Sequence, residues 1–275
     1  TQTGIYYQNS VSALYLGRLL DASNRPDSER VEKVRVEAPT EVDDTVITFA
    51  DGHQTYIQSK EHLKHSGDEW KTLWKHFDKQ FRGNEFRLNQ DRLYLCIGFG
   101  LQEHYDLRGI CERAANSLTE EEWQKRLSDR QKDILDKIMP YLNPTGLTRE
   151  YLREFLAHID IEIMSRDEIE RDKLRDWMPN TNRTQKELFR LLRDRIGGKA
   201  RVKGIFKAHS LHRDLLLESP DLKFNTPSDI GMLRDEIKSC GSLLRQHQNV
   251  IAGPNIHIKR EVVHQIIEWS LSENT

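Results

Sequence analysis

The chain has 275 residues, of which 36% are hydrophobic and 31% charged, which is enough for one large or two modest domains with a soluble core. No apolar run approaches the roughly 20 residues of a membrane-spanning helix, and the first ten residues lack the basic and apolar regions of a secretory signal, so we expect a cytoplasmic protein with no membrane partner. Three scattered cysteines argue against a disulfide framework or a structural zinc site. A net charge of -2 excludes a strongly basic nucleic-acid binder.

The first elements predict a helix followed by a small sheet. Apolar residues at helical spacing run from Ile5 to Leu20. Alternating and β-branched residues then indicate three consecutive strands over 33–37, 44–49 and 53–60. Asp51-Gly52 between the last two is typical of a tight hairpin turn.

A second helix and a buried strand complete the predicted first domain. Aromatic residues at three- and four-residue spacings favour a helix over 67–81, and the short apolar run RLYLCIGF favours a buried strand over 92–99. These elements indicate an α/β domain over 1–102.

A mostly helical domain is predicted over 103–275. Three hydroxyl-x-x-Glu capping boxes mark helix starts there, at Thr119, Ser165 and Thr184. The segment IDIEIM alternates, and we interpret it as a lone strand or as a loop. The predicted helices are 103–116, 119–139, 148–157, 165–178, 184–196, 208–217, 227–247 and 259–271.

A polar cluster is predicted at one end of the hairpin. Asp43 and Asp44 open the middle strand, whereas Gln58, Ser59 and Lys60 close the third strand, and antiparallel pairing brings these ends together. A carboxylate and carbonyl oxygens suit Mg²⁺, which prefers oxygen ligands. The alternative is a cross-strand ion pair on a surface hairpin.

The order of elements resembles the PD-(D/E)xK restriction-endonuclease-like superfamily, with a D-(X)n-QxK pattern on the second and third strands. The segments GIYYQ (4–8), EVDD (41–44), YIQSK (56–60) and the helix from Glu69 to Phe81 look like DNA-cleaving effectors of bacterial antiphage systems. Those effectors include nucleases associated with CBASS and nucleases fused to STAND NTPases. Gln58 stands where Glu or Asp is usual, as in the Mrr-like branch. The resemblance covers about residues 1–100.

This resemblance implies a mixed sheet of restriction-endonuclease-like topology and a Mg²⁺-dependent DNA endonuclease, with Mn²⁺ as the alternative metal and an antiphage effector role. In such a site the metal activates a water molecule, and a lysine stabilises the developing charge. The predicted catalytic residues are Asp44, Asp43, Gln58 and Lys60. The predicted metal ligands are Asp44, Gln58, the Ser59 carbonyl, Glu37 and Glu41.

Gln8 is a candidate supporting residue, because the resembling families often place a polar residue of the first helix beside the metal. An ordinary solvent-facing glutamine is the equal alternative.

The choice between Asp43 and Asp44 depends on the hairpin register. A two-residue turn at Asp51-Gly52 places Asp43 opposite Lys60, whereas a three-residue loop or a bulge changes the parity in favour of Asp44 opposite Lys60. The resembling families place the metal-binding Asp directly before the apolar residues of the strand, so we favour Asp44.

A basic segment runs from Arg183 to Arg213, with ten basic residues and two acidic ones. Phosphate contacts to double-stranded DNA are one interpretation, and a solvated helix face is the other. The predicted nucleic-acid-binding residues are Arg190, Arg193, Lys199, Arg201, Lys203 and Lys207.

The rival function is a catalytically inactive nuclease-fold module that binds DNA or protein as an adaptor, and cleavage of RNA is a second enzymatic alternative. We also expect a homo-oligomer. The resemblance further implies that the chain continues, beyond the last predicted helix, into an NTPase or ligand-sensing module.

Overall fold

A mixed sheet forms the centre of the computed structural model, which describes residues 2–21, 25–42, 44–200 and 204–224. Within those residues the sheet has six strands in the order β5-β4-β3-β2-β1-β6. The strands are Val31–Val36 (β1), Thr45–Phe49 (β2), Gln54–Lys60 (β3), Arg92–Ile97 (β4), Ile159–Ile163 (β5) and Ile205–Lys207 (β6).

The sheet divides into an antiparallel and a parallel half. β1, β2 and β3 pair antiparallel, and β6 joins the outer side of β1. β3, β4 and β5 run parallel, because a helical crossover separates each from the next. The predicted α/β class is confirmed, and the segment predicted as a lone strand is the edge strand β5.

Helices cover both faces of this sheet. Those before β5 are Gln2–Leu20 (α1), Gly67–Phe81 (α2), Gln102–Ala115 (α3), Glu120–Lys125 (α4), Asp129–Ile138 (α5) and Arg149–Ala157 (α6). Those after β5 are Arg166–Glu168 (α7), Leu174–Trp177 (α8), Gln185–Ala200 (α9) and Ala208–Glu218 (α10), with a π-helical turn over Ile169–Lys173. A short 3₁₀ turn, Met139–Tyr141, follows α5.

Two predicted helix boundaries differ from the structure for local reasons. The helix predicted over 119–139 is interrupted, because Ser128 and Gln131 form a capping box that starts α5 anew. The helix predicted to end at Gly197 instead continues to Ala200, since glycine permits a helical backbone although it disfavours it.

Each face of the sheet has its own apolar core. Alternate residues of one strand enter different cores: Tyr56 packs with α2 to α6, whereas the neighbouring Ile57 packs with α1 and the helices after β5. Both side chains are fully buried. The strands are therefore apolar on both faces, which is typical of a sheet covered by helices on each side.

The described residues all belong to the first of the two units into which the chain divides. The boundary predicted at residue 102 falls within the first unit, because β5 and β6 join the same sheet as β1 to β4. The predicted helices 227–247 and 259–271 lie outside the described residues. In the part of the chain that the structure describes, no helix is long and apolar enough to cross a membrane.

Gly17 of α1 is required for close helix packing. A Cβ atom there would lie 2.6 Å from the Trp177 carbonyl oxygen, which is backbone and cannot move aside easily. We expect Gly17→Ala to lower the free energy of unfolding by about 1–3 kcal/mol in urea titrations. Gly198→Ala is the matched control, because nothing lies within 4 Å of its Cβ position, and it should stabilise α9 by up to about 1 kcal/mol. Equal effects of the two substitutions would contradict this packing.

Candidate functional site

The topology gathers polar residues at one edge of the sheet. The carboxyl ends of the parallel strands β3, β4 and β5 lie at this edge, together with the amino end of β2 and the carboxyl end of β1. We call this set the polar edge. It consists of Glu37, Asp44, Gln58, Ser59 and Lys60.

Asp44 joins β2 to β3 through its side chain. Its Oδ2 atom accepts hydrogen bonds from Gln58 Nε2 at 2.5 Å and from the Ser59 backbone N–H at 2.7 Å. Gln58 and Ser59 are both buried, so these charge-assisted bonds satisfy donors that water cannot reach. The predicted meeting of these side chains at the strand ends is thus present in the structure.

The observed register differs from both predicted registers. Thr48 pairs with Gln54 and Thr45 with Ile57, so the position before Thr45 extends toward Gln58. Asp44 therefore lies beside Gln58, and the favoured prediction that it lies opposite Lys60 is wrong. Asp43 lies outside the described residues.

Glu37 and Gln8 form a second link at the polar edge. Gln8 Nε2 of α1 donates to Glu37 Oε1 at 3.1 Å, and the Glu37 N–H donates to the Asp44 carbonyl at 3.1 Å. Glu37 has a φ of 48°, a left-handed conformation that is uncommon for a non-glycine residue. Gln8 thus faces this edge, as the interpretation of it as a supporting residue requires.

Lys60 ends β3 with a half-exposed side chain. Its backbone carbonyl accepts a hydrogen bond from the Gly98 N–H at 2.9 Å. Among the ion pairs of the described residues, none includes its ammonium group.

Glu41, in contrast, lies outside this arrangement. Its carboxylate pairs with the Lys79 ammonium of α2 at 2.6 Å, and its backbone N–H donates to Gln80 Oε1 at 3.1 Å. Glu41 therefore contacts α2 and is not part of the polar edge.

The ligand set predicted for magnesium is only partly assembled. Gln58 presents its amide N–H₂ to Asp44, so its carbonyl oxygen is directed elsewhere. No group of three or more His, Cys, Asp or Glu residues is placed to hold a metal ion in 2–21, 25–42, 44–200 and 204–224. Binding of Mg²⁺ or Mn²⁺ by Asp44 stays a prediction.

The sequence analysis did not identify an ion pair between a buried carboxylate and an exposed arginine next to the polar edge. Glu61 follows β3 directly and is 5% exposed, and its carboxylate pairs with Arg166 at 2.5 Å. The guanidinium groups of Arg166 and Arg193 lie 5.4 and 4.2 Å from the ring centre of Tyr6, within the range of cation–π attraction. The available signal was the capping box at Ser165, which makes Arg166 the first residue of α7, three residues after β5.

Two ring side chains beyond β3 and β4 form a second unpredicted feature. His62 stacks on Phe99 with ring centres 4.4 Å apart and an interplanar angle of 10°. Phe99 is 54% exposed. We call His62 and Phe99 the aromatic platform. An exposed phenylalanine in a stacked pair offers a flat surface to an aromatic ligand.

The basic segment is partly neutralised within the protein. Arg193 is buried and pairs with Glu170 at 3.7 Å, and the same glutamate pairs with Lys186 at 2.6 Å. Arg195 pairs with Asp214 at 2.6 Å. These basic side chains, which were predicted to contact DNA phosphates, are therefore paired with carboxylates of the protein itself. Binding of double-stranded DNA by this segment has no structural support.

The remaining predicted nucleic-acid-binding residues divide into two sets. Arg190 and Lys207 are exposed. The side chain of Lys199 and all of Arg201 and Lys203 lie outside the described residues.

Comparison with solved structures finds similar chains among bacterial receptors. An Acinetobacter baumannii Cap4 SAVED/CARF-domain containing receptor with the cyclic trinucleotide 3'3'3'-cAAA is 14% identical, with a TM-score of 0.46 over 74% of this chain and 42% of that chain. The same receptor with 2'3'3'-cAAA gives a TM-score of 0.47 at 14% identity, over 78% of this chain and 45% of that chain. A Moraxella osloensis Cap4 SAVED/CARF-domain containing receptor gives 0.48 at 16% identity, over 80% and 49%.

This chain therefore spans less than half the length of those receptors. No family model matches the sequence. No curated protein matches it either.

These findings contradict the predicted membership of the PD-(D/E)xK superfamily and its Mrr-like, CBASS-associated and STAND NTPase-fused nucleases. The similar structures are described as SAVED/CARF-domain containing receptors, and the restriction-endonuclease-like topology is not confirmed. The predicted Mg²⁺-dependent DNA endonuclease, its hydrolase chemistry and its nuclease effector role are corrected with it. The physical reason lies in the site, where Asp44 is bound by Gln58 and Ser59, and Glu41 is bound by Lys79.

Proposed function

We propose that this chain is a non-catalytic binding module whose ligand is a nucleotide or short oligonucleotide, held across the polar edge and the aromatic platform. The observation that carries this proposal is the exposed ring of Phe99, stacked on His62 beyond the carboxyl ends of parallel strands. This corresponds to the non-catalytic alternative of the sequence analysis, with a small ligand in place of duplex DNA.

The position in the fold favours a ligand site. In open α/β sheets, ligands bind outside the carboxyl ends of the strands, because side chains and backbone groups of successive loops converge there. Here the loop after β3 contributes His62 and the loop after β4 contributes Phe99. A base that stacks on the platform would gain about 1–3 kcal/mol, whichever base it is.

The charged groups of the polar edge suit a ligand that combines phosphate with hydrogen-bond donors. Lys60 supplies an ammonium group that forms no ion pair with described residues, and a compact ammonium is a common partner of phosphate. The carboxylates of Glu37 and Asp44 lie at the same edge and accept N–H donors. Such acceptors suit ribose hydroxyls and base amino groups.

The similar receptors suggest a probe. Two structures of the Acinetobacter baumannii receptor are described with the cyclic trinucleotides 3'3'3'-cAAA and 2'3'3'-cAAA, and a ligand of this class for the present chain is part of the proposal. A cyclic tri-adenylate combines three phosphates with three adenine rings. Its phosphates can therefore contact Lys60, and its adenine rings can stack on the aromatic platform.

We expect Phe99→Ala to weaken binding of fluorescently labelled 3'3'3'-cAAA by about 5- to 150-fold in anisotropy titrations, since one stacking surface is lost. Leu118→Ala is the matched control, because Leu118 is 90% exposed in the loop between α3 and α4. It should bind the probe as the wild-type protein does.

Equal affinities of the Phe99→Ala and Leu118→Ala variants would remove the aromatic platform from the ligand site. Binding of a 20-base-pair duplex with no binding of the trinucleotide would favour the DNA-binding adaptor instead.

A further inference from the structure

His104 connects the two loops that carry the aromatic platform. It lies in the first turn of α3 and its side chain is fully buried. Its Nδ1 atom accepts a hydrogen bond from the Leu101 backbone N–H at 2.9 Å, and its Nε2 atom lies 3.0 Å from the Leu63 carbonyl oxygen. Since a carbonyl can only accept, the ring is neutral and carries its proton on Nε2.

These two bonds join segments that are adjacent to the platform residues. Leu63 follows His62 in the loop after β3, and Leu101 lies two residues beyond Phe99 in the loop after β4. One imidazole therefore bridges the two loops, in addition to the bond from the Gly98 N–H to the Lys60 carbonyl where the loops begin. The stacking of His62 on Phe99 depends on how the two loops are held.

We propose that His104 is a positioning residue that holds the platform together when it is neutral and releases the two loops when it is protonated. This regulation rests on the proposed nucleotide site. A proton on Nδ1 would face the Leu101 N–H, so two donors would meet where a donor and an acceptor now meet.

The surroundings of His104 oppose its protonation. Burial lowers the pKa of His104, while its bond to the Leu63 carbonyl, the charge of Glu103 and an interaction with the Phe99 backbone carbonyl act in the opposite direction. The ring centre of His65 lies 4.5 Å away. Burial, followed by the repulsion from His104, lowers the pKa of His65 to about 4.

The other charged groups that act on this histidine pair come from two helices. Glu103 and Asp106 of α3 favour a positive charge on His65, and Lys137 of α5 disfavours it. Burial keeps the pair neutral at physiological pH. The nearby carboxylates would stabilise a protonated ring in more acidic solution.

The direction of the pH effect follows from the lowered pKa of His104. A histidine that resists protonation in the folded protein contributes its full stabilisation above its unfolded pKa of about 6.5. That contribution is lost as the pH falls from there through the lower folded pKa. Nucleotide affinity should decline over the same interval.

The test measures the two loops and the ligand separately. Hydrogen exchange of the Leu101 amide, corrected for the intrinsic rate at each pH, reports the loop connection without any ligand. Titration with labelled 3'3'3'-cAAA reports the site. Both are measured from pH 7.5 to 5.0 on the wild-type protein, His104→Gln, His104→Phe and His158→Gln. The control His158 also contacts two backbone carbonyls, those of Glu154 and Leu88, but at the start of β5.

We expect the wild-type protein and His158→Gln to lose Leu101 protection and about tenfold in affinity across this range, as one titrating group allows. His104→Gln retains a donor and an acceptor but cannot titrate, so its Leu101 protection should stay constant with pH. His104→Phe should show low Leu101 protection at every pH.

Two results separate the inference from the function on which it rests. The role of His104 would be overturned, even if the trinucleotide binds, if His104→Gln lost as much Leu101 protection at low pH as the wild-type protein does. Absence of trinucleotide binding at every pH would instead remove the proposed function, while a His104-dependent change in Leu101 protection would still support the connection between the loops.

Discussion

Asp78→Ala is expected to lower the free energy of unfolding by about 3–5 kcal/mol, because it removes a buried carboxylate from three donors. Asp78 is 3% exposed in α2. It accepts hydrogen bonds from Arg82 Nε at 2.9 Å, the Tyr151 hydroxyl at 2.5 Å and the Asn143 N–H at 2.9 Å. These bonds connect α2 to α6 and to the turn after α5.

Urea unfolding monitored by tryptophan fluorescence measures this loss. Tyr151→Phe is the graded comparison, since it removes one donor and leaves the carboxylate with Arg82 and Asn143, and we expect about 1–2 kcal/mol. Burial, followed by the bond to Asp78, raises the pKa of Tyr151, so the hydroxyl remains a donor across the pH range of the measurement. A loss below that of Tyr151→Phe would show that Asp78 does not organise this junction.

Asp44→Ala is expected to lower the free energy of unfolding by about 2–4 kcal/mol, because it leaves the Gln58 amide and the Ser59 N–H without their carboxylate. Both donors are buried, and water cannot fully replace the lost acceptor. Asp44→Asn retains one acceptor oxygen and should lose about half as much. The same urea titration serves for both variants.

Glu32→Ala is the matched control for Asp44, since Glu32 is an exposed carboxylate on the neighbouring strand β1. Its effect should stay within about 0.5 kcal/mol of zero. If Asp44→Ala were no more destabilising than Glu32→Ala, the connection between β2 and β3 at the polar edge would not contribute to stability.

Local patterns in the sequence were sufficient for most of the secondary structure. The helix predicted over 67–81 matches α2, because aromatic residues at helical spacing define its buried face. The three predicted strands lie within two residues of β1, β2 and β3. The meeting of Asp44 with Gln58 also follows from local pairing, since one hairpin joins their strands.

The function inferred from the same pattern was wrong. A D-(X)n-QxK spacing specifies which side chains meet, but it does not specify what they do when they meet. In the structure Asp44 is an acceptor for two protein donors, and Glu41 is an ion-pair partner on α2. A carboxylate next to an amide and a lysine can have a structural role or a catalytic role. Only the contacts of the carboxylate in the folded protein show which role it has.

The sequence by itself determined the class of the fold, the limits of most helices and strands, and which two strands form the hairpin, because these depend on residues close together in the chain. It did not determine the hairpin register. The tertiary structure alone decided that β5 and β6 join the central sheet, that Glu61 pairs with Arg166, and that His104 ties the loop of His62 to the loop of Phe99. Those contacts join residues far apart in sequence, and packing of two apolar cores on opposite faces of one sheet selects them. No spacing along the chain encodes that selection.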